Sequence, residues 1–344
     1  PHGPYVCPPS YKKPYQSIGS PEIRAFYGMI ASIDENVGKL RAFLEETGLA
    51  RNTIFIFTTD NGTGSGHRIY NAGMRGIKSS PYEGGHRVPL FVHWPEGGFA
   101  EERRIETLTA NIDIAPTLLD LCGIPSPEGV RFDGVSLRPL LEQKGDGNWP
   151  DRIIMTDCQF VAPPRKWVST AVLSERWRLV NGSELYEIDV DPGQKANVYS
   201  KHPEVVQRLS AWYDTLWAEI APTLHDVPEI PLGYSATESV TLSYHDCMNR
   251  HAFWFQDGIR NIKGIIDPPN TNRRPAYWPV TVVADGDYSI ELRRWPMELN
   301  AAINAGVPPG RLVYGAHPYR GATGVGFPAV KAQLTIGEQQ HTQA

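Results

Sequence analysis

From residue 20 to 48, apolar side chains fall at Phe26, Ile30, Ile33, Val37, Leu40 and Leu44, in steps alternating four and three. That spacing predicts a helix with one continuous buried stripe. Ser20 can cap it, Pro21 suits its first position, and Glu22 suits the positive end of its dipole. Gly48 is a natural stop. The pattern then changes to unbroken apolar runs. In "NTIFIFTTDNG" (52–62), Thr53 to Thr58 are β-branched or aromatic, which predicts a strand buried on both faces. "VPLFVHW" (88–94) predicts a second buried strand, "NIDIAPTLLDLCGI" (111–124) a short helix burying Leu118, Leu119 and Leu121, and "RIIMT" (152–156) another strand. A helix followed by an apolar strand predicts an α/β layer with a mostly parallel sheet.

From about residue 168 the runs shorten. "VSTAVLS", "WRLVN" and "ELYEIDVDP" read as strands, with Asn181-Gly182 as a hairpin signal. "PEVVQRLSAWYDTLWAEI" (203–220) is amphipathic, with Val206, Leu209, Tyr213, Leu216 and Ile220 on one side. Together they predict a small antiparallel sheet with one helix. Beyond 225, helical periodicity is weak. A hairpin around Asp285-Gly286 (278–295) and a strand at 329–336 predict a β-rich module. The expected organisation is an α/β part over 1–150, a small α+β part over 151–225 and the β-rich module over 226–344.

A length of 344 residues accommodates this number of parts, and 41% hydrophobic with 21% charged residues is ordinary for a globular chain. The net charge of −5 and the absence of a basic run argue against nucleic acid as a partner. No apolar run approaches the length of a membrane span. The four cysteines, Cys7, Cys122, Cys158 and Cys247, form no C-x-x-C pair, which weakens zinc and thioredoxin-like readings. Residues 1–19, rich in Pro, Tyr and Lys, read as loop. The chain opens within that loop without an initiator Met, so further sequence is expected upstream.

The densest polar group is Asp60-Asn61 with "GMRGIKSSPYEGGHRVP" (73–89). Asp60 and Asn61 follow the carboxyl end of a strand, where open α/β sheets place their ligands. A carboxylate and an amide carbonyl are hard oxygen donors suited to Ca²⁺ or Mg²⁺, although Ca²⁺ takes six or more. From spacing alone, a plain Asp-Asn-Gly turn is the simpler reading. Lys78 and Arg75 lie in a glycine-bracketed loop, where a cation can neutralise an oxyanion or simply be solvated. His2, in Pro1-His2-Gly3-Pro4, can donate a proton to a leaving group or stay a solvated loop residue. Glu83-Gly84-Gly85 reads most simply as a tight turn, with Glu83 bonded to backbone or exposed.

Taken in order, "PHGP", "FYGMIASIDENVGKLRAFLEETGLARNTIFIFTTDNG", "GMRGIKSSPYEGGHRVPLFVHWP", "IDIAPTLLDLCGI" and "DGVSLRPLL" resemble the type I sulfatases. These are the formylglycine-dependent members of the alkaline phosphatase superfamily. The resemblance covers roughly residues 1–220, and "ELYEIDVDPGQKANV" with its helix is similar to that family's small C-terminal subdomain. It implies an alkaline-phosphatase-like fold. It also implies Ca²⁺, ahead of Mg²⁺, on Asp60 and Asn61, and a sulfate group bound by Lys78. His2 would contact the sulfate and assist the leaving oxygen, while Arg75 would brace the loop. A sulfate ester, with sulfated glycan as an analogy, would be the substrate, and the location would be periplasmic or extracellular.

The family's paired Asp-Asp and its C-x-P-S-R nucleophile segment precede the PHxP loop at which this chain begins. The resemblance is therefore to the C-terminal portion, with formylglycine expected upstream and this chain expected to be inactive alone. Cys7-Pro8-Pro9-Ser10-Tyr11 imitates the nucleophile segment. It has Tyr11 where the arginine belongs, follows His2 instead of preceding it, and reads as loop where the family opens a helix. Two alternatives stand: a phosphonate monoester hydrolase or phosphodiesterase of the same superfamily, and a non-catalytic sulfatase-like protein binding carbohydrate through Trp278, Trp295, Tyr277 and Tyr288.

Overall fold

The computed structural model describes residues 2–3, 5–142, 149–159, 163–243, 246–248, 277–310, 323–328 and 332–343. They fall into two compact units, Ser10–His225 and His2–Pro9 with Asp226–Ala344, and each is taken by itself. The segment expected as loop over 1–19 contains a short helix, α1 (Pro9–Lys12), and a 3₁₀ turn at Lys13–Tyr15. Proline at the first helical position needs no N–H partner, so Pro9 permits this start. Tyr11 Oη donates to Glu35 Oε2 at 2.7 Å and ties α1 to the next helix.

That helix, α2 (Pro21–Glu46), begins as its capping residues dictate: Ser20 Oγ accepts from Ile23 N at 3.3 Å. Gly48 stops it at φ +71°. The continuous buried stripe is not found. Ala25 and Phe26 are buried, but Ile30, Ile33, Leu40 and Phe43 are 38–54% exposed. Among the described residues, α2 packs chiefly against the 3₁₀ turns at Lys13–Tyr15 and Ala50–Asn52, which leaves much of its apolar stripe uncovered.

Strand β1 (Phe55–Thr58) leads into a long loop containing α3 (Glu83–His86) and then β2 (Leu90–His93). The two strands pair antiparallel, Phe55 opposite His93 and Thr58 opposite Leu90. The α/β layering is present, but this pair departs from the parallel sheet expected here. A parallel pair needs a crossover lying on the sheet, whereas residues 59–89 fold back on themselves. Ile56, Leu90 and Val92 line an apolar cleft with α4 (Ile114–Leu121) and with Leu137, next to α5 (Arg138–Leu141). In α4, Thr117 is the buried residue, and Leu118, Leu119 and Leu121 are half-buried. The opposite side of β2 leaves Phe91 63% exposed, and the residues facing the cleft are half-buried, so the burial expected on both faces is reached on neither.

Strands β3 (Ile154–Asp157), β4 (Thr170–Leu173), β5 (Trp177–Val180) and β6 (Glu184–Glu187) form an antiparallel meander in that order. Asn181 and Gly182, both at positive φ, turn β5 into β6. Side-chain alternation gives the sheet two apolar faces. Val172, Leu179 and Leu185 meet Leu209 and Tyr213 of α6 (Pro203–Ile220). Ile154, Ala171, Leu173, Val180 and Tyr186 face the other way, toward Tyr82, Leu108 and Ala110. The sheet is thus held between its own helix and the segment that follows β1.

In the second unit, β7 (Ile230–Leu232) pairs parallel with β8 (Val280–Val282), and β9 (Ala332–Ile336) pairs antiparallel with β10 (Gln339–Gln343). The hairpin expected over 278–295 does not form. Val283 N bonds Leu232 O at 2.9 Å, which commits this edge to β7, and Tyr288 Oη donates to Ala284 O at 2.6 Å across the proposed turn. Residues 249–276 and 311–322 of this module lie outside the described residues. Among the described residues, no helix is long and apolar enough to cross a membrane.

Leu209 is fully buried against β4, β5 and β6. Leu209→Ala is expected to destabilise the Ser10–His225 unit by about 2–5 kcal/mol in denaturant titrations.

Candidate active site

The loop after β1 is a knot of backbone. Gly62 N donates to Gly85 O at 2.9 Å, Lys78 N to Thr63 O at 3.0 Å, and Gly84 N to Arg75 O at 2.8 Å. Three segments therefore meet with no side chain between them. A Cβ on Gly62 would lie 1.9 Å from Gly84 O, one on Gly84 2.3 Å from Gly76 O, and one on Gly85 2.1 Å from Ser80 O. Here glycine serves close approach rather than a special dihedral. Ala72 and Ser79 also have positive φ, 49° and 68°. Non-glycine residues hold that conformation only where their surroundings impose it.

Two sets of polar contacts fasten the knot to the four-stranded sheet. Arg178 of β5 donates through Nε to Glu83 Oε1 at 2.7 Å, with side chains only 7% and 1% exposed. Burial pushes the Glu83 carboxyl up, the charge and hydrogen bond of Arg178 pull it down, and the net direction is down. Glu83 N also donates to Gln194 Oε1 at 2.8 Å. Arg75 is the second strut. Its Nη1 reaches Tyr186 Oη at 2.6 Å, Gln194 O at 3.2 Å and Glu184 Oε2 at 3.3 Å, and its guanidinium lies 3.8 Å from the Tyr82 ring centroid. Burial and the Glu184 carboxylate push the Tyr186 phenol up to about 12, so it remains a protonated donor. Another buried pair, Asp113 with Arg152 at 2.7 Å, secures the start of α4 in the same way. Asp113 also accepts from Ala110 N and Val135 N.

Asp60 and Asn61 follow the carboxyl end of β1, with Asp60 exposed and the Asn61 amide donating to Asp60 Oδ2. Lys78 is half-buried in the knot, its backbone beside Thr63. No contact holds its ammonium among the described residues. The knot brings these three residues to one loop. His2 falls in the second unit, exposed, with Nδ1 2.7 Å from Gly3 O. Cys7 is buried. The helix α1 that follows it removes one argument against it as a nucleophile, but Tyr11 still replaces the arginine and is committed to Glu35. Two hard oxygen ligands are right in kind for Ca²⁺ and short in number. Among the described residues, no three His, Cys, Asp or Glu side chains gather around a metal position. The described residues alone therefore do not fit a complete Ca²⁺ site.

The model of the Sulfatase family matches residues 1–124, and that of the N-sulphoglucosamine sulphohydrolase C-terminal domain matches residues 77–217. Residues 1–217 belong to the sulfatase family. Arylsulfatase K of Gallus gallus is 33% identical over 208 residues, 54% of this chain and 35% of that protein. An arylsulfatase of Clostridium perfringens is 33% identical over 179 residues, 51% of this chain and 35% of that protein. This chain therefore spans about a third of the length of these curated relatives. A solved Bacteroides thetaiotaomicron sulfatase, from work on the metabolism of multiple glycosaminoglycans, matches with a TM-score of 0.51 and 26% identity. The match covers 62% of this chain and 48% of that one. The second sulfatase model begins at Ile77, so it spans Lys78 and both ends of the Glu83–Arg178 pair.

Spacing along the chain does not reveal the roles of Glu83, Gln194 and Arg178. The one available signal was an arginine inside the apolar run "WRLV", a charge that must find a partner once that strand is buried. The tight turn expected at Glu83-Gly84-Gly85 is instead α3, and Glu83 is neither exposed nor bonded to backbone through its carboxylate.

Gly84→Ala is expected to destabilise the unit by about 3 kcal/mol, because backbone carbonyls would have to move; denaturant midpoints check this. His86 is held below its ordinary value by burial, although the nearby Glu83 carboxylate opposes this. The unfolded chain thus takes up the proton first. The stability from neutral His86 is complete above about pH 6.5 and is lost as pH falls toward the folded value. His86→Asn is expected to flatten the dependence of thermal midpoint on pH below 6.5.

Proposed function

We propose that this chain supplies the anion-binding wall of a sulfuric ester hydrolase. The observation that carries the reading is Lys78: a half-buried lysine whose ammonium is uncommitted among the described residues, on a loop whose backbone is tightly held. A cation on a fixed backbone with nothing to neutralise is suited to an oxyanion. Lys78 would pair with the oxygens of a sulfate ester and disperse the charge that grows on them as the S–O bond breaks. Asp60 and Asn61 would contribute two of the oxygens around a Ca²⁺, which would supply further charge neutralisation when bound. The proton for the departing alcohol oxygen is assigned to His2 by the sequence resemblance alone. The formylglycine nucleophile of the family is assigned to no residue of this chain, and Cys7 is not offered for that role. A sulfated glycan is the substrate class favoured, in line with the glycosaminoglycan context of the Bacteroides sulfatase.

Inorganic sulfate titrated into the chain, followed by chemical-shift changes, is expected to perturb the Lys78 loop, and Lys78→Ala to weaken binding at least about tenfold, the loss of one charge-assisted contact. Tighter binding of phenylphosphonate than of an aryl sulfate would favour the phosphonate hydrolase reading instead. An unaltered sulfate affinity in Lys78→Ala would remove the proposal.

A further inference from the structure

We propose that the four-stranded sheet fixes the position of Lys78, acting through Glu83 and Arg178 as positioning residues. This rests on Lys78 being the sulfate-binding cation. The path from sheet to lysine is continuous. Arg178 projects from β5 on the face it shares with Val180 and Tyr186, away from α6. On the sheet side its Nη1 donates to Ser174 O at 2.5 Å and Trp177 O at 3.1 Å. Its Nε is left for Glu83. The carboxylate of Glu83 is therefore anchored by Arg178 through Oε1, with a longer contact of 3.5 Å from Arg87 Nη1 to Oε2, and its backbone N–H by Gln194.

Glu83 opens α3, whose next two residues are the knot's glycines. Gly84 holds the carbonyl of Arg75, three residues before Lys78, and Gly85 holds the amide of Gly62. The amide of Lys78 closes the circuit on Thr63 O. Ser79, immediately after Lys78, sits at φ +68°, a conformation that needs support from outside the local chain. Arg75 adds a parallel strut to β6 through Tyr186 and Glu184.

Energetics decide what gives way when the pair is broken. Without Arg178, the Glu83 carboxylate keeps only the half-exposed Arg87, whose Nη1 is 3.5 Å from Oε2, and that long contact leaves Oε1 without a hydrogen-bond partner in a dry site. The sheet retains both apolar faces and all its ladders, whereas α3 can relieve the charge by swinging toward water. The loop is thus the part released, and Lys78 moves with it. A residue that merely stabilised the whole unit would loosen sheet and loop together.

Amide exchange and sulfate titration on Arg178→Met, Arg178→Lys and Glu83→Gln chains separate these cases. With Arg178→Met, exchange at Gly62, Lys78 and Gly84 is expected to accelerate at least about tenfold, while β4 and β6 amides stay within about twofold. Sulfate affinity should fall with the loop. Arg178→Lys should recover part of both. Should Arg178→Met not fold, Glu83→Gln, which keeps the shape, gives the same readout. Unchanged loop protection, or equal acceleration in loop and sheet, overturns the proposal. If Lys78→Ala binds sulfate like the parent chain, the anion reading falls separately, and exchange alone decides the fastening.

Discussion

A carboxylate taken out of water must bring its counter-charge with it, and the Glu83–Arg178 pair is where this constraint organises the molecule. The two residues lie 95 positions apart, on a four-residue helix and in the middle of a strand. Neither could be buried alone. Their pairing does not demand that the pair add net stability. It demands that the two segments arrive together, which makes it a device of registry between the loop and the sheet.

The glycines of the same loop make that registry precise. With no Cβ atoms between them, residues 62, 84 and 85 bring three backbone segments into direct hydrogen bonding, at distances that side chains would forbid. A backbone knot of this kind has few alternative arrangements. It can carry an exposed carboxylate and amide at one end and an uncommitted lysine at another without either drifting. Asp113 with Arg152 repeats the logic at the start of α4, where one buried carboxylate collects an arginine and two backbone amides. In both cases a charge inside the fold joins segments that the sequence separates widely.

The two parts of the first unit differ in how completely their apolar faces are covered. The meander of β3 to β6 has α6 on one side and the segment around Tyr82 and Leu108 on the other, and its central residues are wholly buried. The α2 stripe and the Phe91 side of β2 remain largely in contact with solvent. Period and capping specify a helix locally, through backbone hydrogen bonds and side-chain spacing. Burial of its stripe requires a second surface, and that is a property of packing.

The sequence by itself determined the helices at 21–46 and 203–220, the strands at 55–58, 90–93 and 154–187, the hairpin at Asn181-Gly182 and the family to which residues 1–217 belong. These follow from short-range periodicity, caps and ordered motifs. Tertiary structure alone decided that β1 and β2 run antiparallel, that the 278–295 segment gives its edge to β7 instead of folding on itself, and that the glycines near Lys78 serve close contact. It also decided that Glu83, read as a turn residue, is the buried partner of an arginine in β5. The physical reason is common to all of these. Strand direction, carbonyl approach and the pairing of buried charges depend on which distant segment arrives, and residue spacing along the chain does not carry that information.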